Sequence, residues 1–121
     1  IAQDICFGGA ANQFYHLTLV EYQNQVYDTV TETNATHTIA AATKFFIANR
    51  AGTITVTLPT ASGFDGRELV LKTIQAQTVV SNASDVIPIT GGAAGTAILP
   101  ATAGAWALLV SNGTNWEIMA S

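Results

Sequence analysis

Charged side chains are scarce in this chain. Of its 121 residues only 10% are Asp, Glu, Lys or Arg, against about 25% in ordinary soluble domains. Hydrophobic residues make up 49%. With so few charges, either Thr, Asn, Gln and Ser cover the outside of the molecule, or much of that outside is buried in an assembly. We expect both to contribute.

Positive charges are the rarest. The only cations are Lys44, Arg50, Arg67 and Lys72, and the net charge is −4. Nucleic-acid binding needs clustered Lys and Arg to neutralise phosphates, and these four do not cluster. The same scarcity disfavours an anionic membrane surface, and no apolar run approaches the ~20 residues of a membrane-spanning helix. We therefore expect neither nucleic-acid binding nor membrane insertion.

Cysteine and histidine are almost absent. Cys6 is the only cysteine, so an intrachain disulfide and a Cys-rich metal site are both excluded. His16 and His37 are the only histidines, and their spacing from Glu21 or Asp28 does not resemble a zinc site. The chain also lacks the Gly-x-Ser-x-Gly elbow of a serine nucleophile. The sequence predicts no catalytic residue, no metal and no cofactor.

Short strand patterns fill the sequence instead. Residues 52–58 alternate strictly between Thr and the apolar Ile, Val and Leu, which is typical of a half-buried strand. Further strands are expected at 13–20, 25–31, 36–39, 44–47, 67–74, 78–80, 85–89 and 96–99. Strands at such spacing, with turn residues between them, indicate a sandwich or barrel. We predict an all-β fold, namely a small antiparallel, jelly-roll-like β-sandwich.

The chain is short enough for one domain. We expect residues 1–12 to be an extended N-terminal arm or connector and residues 13–121 to be a single β-sandwich domain. The sequence begins at Ile1 rather than Met, so we expect it to be part of a longer protein.

The last apolar stretch predicts a hairpin with two apolar faces. Asn112-Gly113 suits a two-residue type I′ turn, which would pair Leu109 with Trp116. One face would then carry Ala107, Leu109, Trp116 and Ile118, and the other Trp106, Leu108, Val110 and Met119. A hairpin on a small monomer normally has one wet face. We therefore expect the first face to be core and the second to contact another subunit.

The order of motifs in residues 52–119 resembles a known family. Thr57-Leu-Pro59 ends a Thr/Val strand, Gly66-Arg67 opens an apolar strand, and Ser111-Asn-Gly-Thr-Asn-Trp116 lies within the closing hairpin. This order is similar to a β-sandwich module of bacteriophage tail fibres and other tail appendages. Residues 21–50 depart from the family pattern, so specificity is expected there.

The resemblance implies a homotrimer around a three-fold axis. It also implies a virion protein, assembled in the cytoplasm of the bacterial host, that contacts other virion proteins. Its function would be host-surface attachment through a bacterial glycan or protein receptor. A purely structural connector or capsid-decorating protein is the alternative, and a carbohydrate-binding or depolymerising domain is a third hypothesis.

Glycan cleavage is the enzyme class that some phage appendages suggest. It needs two carboxyl groups about 5–9.5 Å apart. On one strand, Asp28 and Glu32 would have Cα atoms about 13 Å apart, whereas Asp65 and Glu68 are typical turn and strand-edge charges. No coil repeat of the kind found in long β-helical depolymerases is visible. We expect a protein that is not an enzyme.

Receptor contact needs exposed aromatic faces beside amides and carboxylates. Tyr22, Tyr27 and Asp28, with three neighbouring amides, form the first candidate cluster. The turn that contains Asp65 and Arg67 is the second. These five residues are our receptor-binding candidates.

Overall fold

The strands follow the sequence pattern closely. The structure, a computed structural model, describes residues 28–121. The strand expected at 13–20 and the expected arm at 1–12 lie outside these residues. Within 28–121 there are strands and no helix. The strands are β1 (Asp28–Glu32), β2 (Thr36–Thr38), β3 (Thr43–Ala48), β4 (Ile54–Thr57), β5 (Glu68–Thr73), β6 (Val79–Ser81), β7 (Val86–Ile87), β8 (Ala97–Leu99), β9 (Trp106–Ser111) and β10 (Trp116–Ala120).

Two sheets divide these strands. The first sheet has six strands in the order β1-β3-β5-β9-β10-β7, and the second has four in the order β2-β4-β6-β8. The all-β, two-sheet prediction is therefore confirmed. From β1 to β6 the chain alternates between the sheets, so that odd strands pair with odd and even with even. Each such pair is parallel.

The prediction of an antiparallel, jelly-roll-like sandwich is wrong for this first half. A jelly roll is built from antiparallel Greek keys, whereas β1 to β6 wind as successive parallel turns. Among the strands of residues 28–121, antiparallel pairing joins β5 with β9, β9 with β10, and β6 with β8. The reason is that alternation along a strand reports which face is buried, not which strand lies beside it or in which direction.

Each winding of the chain through both sheets, from one strand to its parallel neighbour, has a different length. A search for sequence repeats therefore does not detect these windings. Thr29 pairs with Phe45, 16 residues later, while Phe45 pairs with Val70, 25 residues later. In the second sheet Thr36 pairs with Thr55, 19 residues later. Loops of different length separate the turns, so no fixed period exists in the sequence.

The closing hairpin has a longer loop than predicted. Trp116 pairs with Ser111 and Ile118 with Leu109, so residues 112–115 form a four-residue loop rather than a two-residue turn. The pairing has moved by two residues. Since side chains alternate with a period of two, the move leaves the predicted faces unchanged, and Leu109 and Trp116 do share the buried face.

The core lies between the two sheets. The six-stranded sheet contributes its inward side chains, and the four-stranded sheet covers them. The largest fully buried side chains are Trp116, Phe46, Ile54, Leu69, Leu71, Leu109, Val56, Val79 and Val86. The indole N–H of Trp116 donates to the carbonyl oxygen of Pro59 at 2.8 Å. This bond satisfies the polar atom of the largest core side chain, as burial requires.

Candidate functional site

One end of the six-stranded sheet gathers several loops. The strands β1, β3 and β5 begin there, β9 ends there and β10 begins there, as the strand registers require. Two backbone hydrogen bonds join the turn before β5 to the hairpin: the N–H of Gly66 donates to Ser111 O at 2.8 Å, and the N–H of Ser111 donates to Arg67 O at 2.9 Å. We call the turn 63–67 together with the hairpin loop 112–115 the loop end.

Arg67 is held in place at the loop end by two contacts. Its Nη2 donates to the carbonyl oxygen of Thr43 at 2.7 Å. Its guanidinium lies over the ring of Phe64, 5.6 Å from the ring centroid, within range of a cation–π interaction. The Phe64 side chain is nevertheless 38% exposed. The sequence singled out Arg67, and the structure adds that its charge stacks on a neighbouring aromatic ring.

The hairpin loop is ordered by its first residue. The Oδ1 atom of Asn112 accepts hydrogen bonds from the N–H groups of Thr114 and Asn115 at 2.9 and 2.8 Å. Its Nδ2 donates to Glu117 at 2.9 Å. Asparagine commonly stabilises turns through such side-chain bonds to the backbone. Gly113 has a φ of 90°, which favours glycine, so the loop is preformed.

The structure brings two of the predicted receptor-binding residues together. Asp65 is exposed, and a Cβ at Gly113 would lie 3.7 Å from its Cγ, so its carboxyl group lies beside the hairpin loop and on the same turn as Arg67. Asp28 starts β1 at the same edge, where it pairs with Thr43. It is two strands from β5, about 10 Å away across the sheet. Tyr22 and Tyr27 lie outside the described residues.

A second surface is the outward side of the six-stranded sheet, which we call the outer face. Its central row runs across the strands as Thr29, Phe45, Val70 and Leu108, each paired with the next. A row on one side pairs Ile47 with Lys72 and Lys72 with Trp106, and a row on the other pairs Glu68 with Val110 and Val110 with Glu117.

The outer face carries the predicted subunit-interface residues. Trp106 is 46% exposed and Met119, beside an irregularity in β10, is 59% exposed. Leu108 and Val110 lie half-buried on the same face. Sequence reasoning missed Phe45, which is 41% exposed. Residues 45–48 are all apolar, so the sequence of β3 carries no alternation that would show which side chains point outward.

A shallow cavity lies on this face above β1, β3 and β5. It has a volume of about 340 Å³ and is lined by Thr29, Phe45, Phe46, Ile47, Val70 and Lys72. Apolar carbon dominates this lining. Exposed apolar concavities are typical of contact surfaces for other molecules.

The turn from β1 to β2 contains a separate polar cluster. Glu32 Oε1 lies 2.7 Å from Nδ1 of His37, and Glu32 Oε2 accepts the N–H groups of Asn34 and Thr33. The Asn34 bond is the main cause of a lowered pKa for Glu32, and the two other bonds add to it. The ring of His37 also packs against Phe46, with centroids 5.2 Å apart. The cluster closes the turn between the two sheets.

Neither a metal cluster nor a membrane helix occurs in the part of the chain described. No group of three or more His, Cys, Asp or Glu among residues 28–121 is placed to hold a metal ion. Within the same range no helix has the length and hydropathy to cross a membrane. Comparison with protein-family models, with curated proteins and with solved structures gives no match to this chain. The resemblance to tail appendages therefore stays a prediction from motif order.

Proposed function

We propose that this chain is a non-enzymatic module of a virion appendage, of the bacteriophage tail-fibre or tail-tip type, that contributes to attachment to the host surface. We further propose that it acts as a homotrimer together with other virion proteins. The motif order of residues 52–119 supports this assignment. The observation that carries it is the loop end, where a preformed loop lies beside an exposed aromatic ring and an exposed carboxyl group.

The chemistry of the loop end suits surface recognition. Binding residues concentrate on loops that a rigid scaffold positions. Here Asn112 Nδ2 donates to Glu117 in β10, and the N–H of Gly66 donates to Ser111 O at the end of β9, so each loop is bonded to the sheet. The apolar ring of Phe64 offers a surface for stacking, while Asp65 and Asn115 offer acceptors and donors for hydroxyl or amide groups. A bacterial surface glycan or a polar protein loop is the class of receptor that this arrangement fits.

The test is adsorption of labelled protein to a panel of bacterial cells and to a glycan array. For a bound target, the double variant Phe64→Ala, Asp65→Ala should lower adsorption about tenfold, because both contacts of the loop end are lost. Ile89→Ala is the matched control, since Ile89 is an exposed apolar residue, 55% accessible, on the loop after β7. It should adsorb like the unchanged protein.

Two results would redirect the proposal. If Tyr22→Ala with Tyr27→Ala abolishes adsorption and the loop-end variant does not, the receptor contact belongs to the segment before β1. If no cell or glycan binds the assembled protein, the structural alternative, a connector or capsid-decorating protein, replaces attachment.

A further inference from the structure

The outer face presents one apolar row between two rows of opposite charge. In the central row Phe45, Val70 and Leu108 are neighbours. On one side of it Lys72 lies between Ile47 and Trp106. On the other side Glu68 and Glu117 flank Val110. Lys44 lies 3.4 Å from Glu68, so two carboxylates and one ammonium leave this side with a net negative charge. The charge of the face therefore changes sign from one side of the apolar row to the other.

The outer face is large enough to matter for association. Five strands at about 4.8 Å spacing and three rows of side chains cover roughly 20 Å by 15 Å, about 300 Å². This area includes the charged side chains of the two flanking rows, so the apolar patch is a part of it. Phe45 and Trp106 remain 41% and 46% exposed, so the patch has two aromatic anchors of the type that interfaces use.

Lys72 is the unusual charge on this face. It is exposed between two large apolar side chains, and no hydrogen bond or ion pair to it occurs within residues 28–121. By contrast, Glu68 lies 3.4 Å from Lys44, and Glu117 accepts a bond from Asn112. An ammonium group that is covered without a partner is costly. Whatever covers the apolar row must therefore bring an acidic group to Lys72.

We infer that the outer face binds a second copy of this chain, with Lys72 of one copy against the acidic row Glu68–Val110–Glu117 of the next. The outer face of a second copy offers an acidic group to Lys72 and an apolar row that covers the apolar row of the first copy. The outer face is therefore complementary to itself. A two-fold dimer and a head-to-tail ring around a three-fold axis both satisfy this pairing. The contact rests on the proposed assembly of several copies and does not depend on host attachment.

Charge exchange tests the inference in the intact chain. Sedimentation velocity over a concentration series should show an oligomer for the unchanged protein. Lys72→Glu should weaken association about tenfold or more, because like charges then meet across the interface. Glu68→Lys with Glu117→Lys should weaken it similarly. The triple variant that exchanges all three charges should associate again, within about threefold of the unchanged protein.

Arg50→Glu is the matched control. It makes the same change in net charge, but Arg50 lies in the turn before β4, where its Nη1 donates to Thr53 O. It should leave association unchanged. Trp106→Glu should dissociate the oligomer while circular dichroism shows a folded protein.

Several outcomes would overturn the inference. They are a monomer at every concentration, equal effects of Lys72→Glu and Arg50→Glu, or no recovery in the triple variant. Loss of adsorption with association intact would instead count against the proposed function alone, so the two failures are distinguishable.

Discussion

Two tryptophans on one hairpin meet opposite environments. Trp116 is fully buried, and its indole N–H donates to Pro59 O at 2.8 Å. Trp106, ten residues earlier, is 46% exposed on the outer face beside Lys72. The inward side of the six-stranded sheet is thus closed by the four-stranded sheet, and the outward side is apolar without a covering layer among residues 28–121.

The difference separates folding from association. Inward side chains stabilise the single subunit, because they leave water when the two sheets pack. Outward apolar side chains gain this stabilisation only when another molecule covers them. Removal of an inward apolar side chain should therefore lower the free energy of unfolding, and removal of an outward one should weaken association.

The largest expected effect is at Trp116. Trp116→Ala should lower the free energy of unfolding by about 3–5 kcal/mol, since it opens a cavity in the core and leaves Pro59 O without its donor. Urea denaturation monitored by circular dichroism measures this. Trp106→Ala is the matched control, and its cost measured below the association concentration should be about 1 kcal/mol or less. Equal costs for the two variants would abolish the distinction between the faces.

A smaller effect is expected at Ser111, an inward polar residue of the same hairpin. The hydroxyl of Ser111 donates to Ala61 O at 2.7 Å. The whole residue is only 1% exposed. Ser111→Ala should cost about 1–3 kcal/mol, because a buried carbonyl loses its partner. Ser62→Ala, at an exposed position one residue past Ala61, should be neutral. A neutral Ser111→Ala would mean that water replaces the hydroxyl.

The smallest effect concerns pH and the turn from β1 to β2. The pKa of Glu32 in the folded protein lies below the ordinary value of a glutamate, chiefly because the N–H of Asn34 donates to the carboxylate. A lowered pKa contributes stability above the unfolded-state pKa, and this contribution is lost as pH falls through the folded-state value. As pH falls below about 4.5, the stability of Glu32→Gln should therefore decrease less than that of the unchanged protein. Thermal unfolding at a series of pH values measures this difference.

The control for this prediction is Asn34→Ala, because the backbone N–H of Asn34, and not its side chain, donates to Glu32 at 2.8 Å. Glu32 keeps this hydrogen bond in the variant, so stability should fall with pH as it does in the unchanged protein. Identical acid profiles for Glu32→Gln and the unchanged protein would contradict a special role of the Glu32 turn.

Strand positions and faces were predictable from the sequence, and strand partners were not. The alternation in residues 52–58 correctly predicted β4, with Ile54 and Val56 inward. The hairpin faces were also correct, although the loop was longer than expected. Asn112 uses its side chain to hold a four-residue loop, and the Asn-Gly pair alone does not distinguish that loop from a type I′ turn.

Part of the candidate site was also predictable from the sequence. Asp65 and Arg67 could be named as candidates because charged turn residues stand out in a chain with so few charges, and receptor contact by them stays a prediction. Their proximity to Gly113 and to Thr43 depends on strands far away along the chain. Phe45 escaped notice because a run of two phenylalanines does not show which of them points outward.

The sequence by itself determined the all-β class, the order of the strands along the chain and the side of the hairpin that is buried, because these follow from alternation with a period of two and from turn residues. Only the tertiary structure decided that β1 to β6 pair in parallel across unequal turns, and that the acidic and basic rows flank one apolar row. Those features arise from contacts between residues 16 to 25 or more positions apart, and local patterns do not encode such contacts.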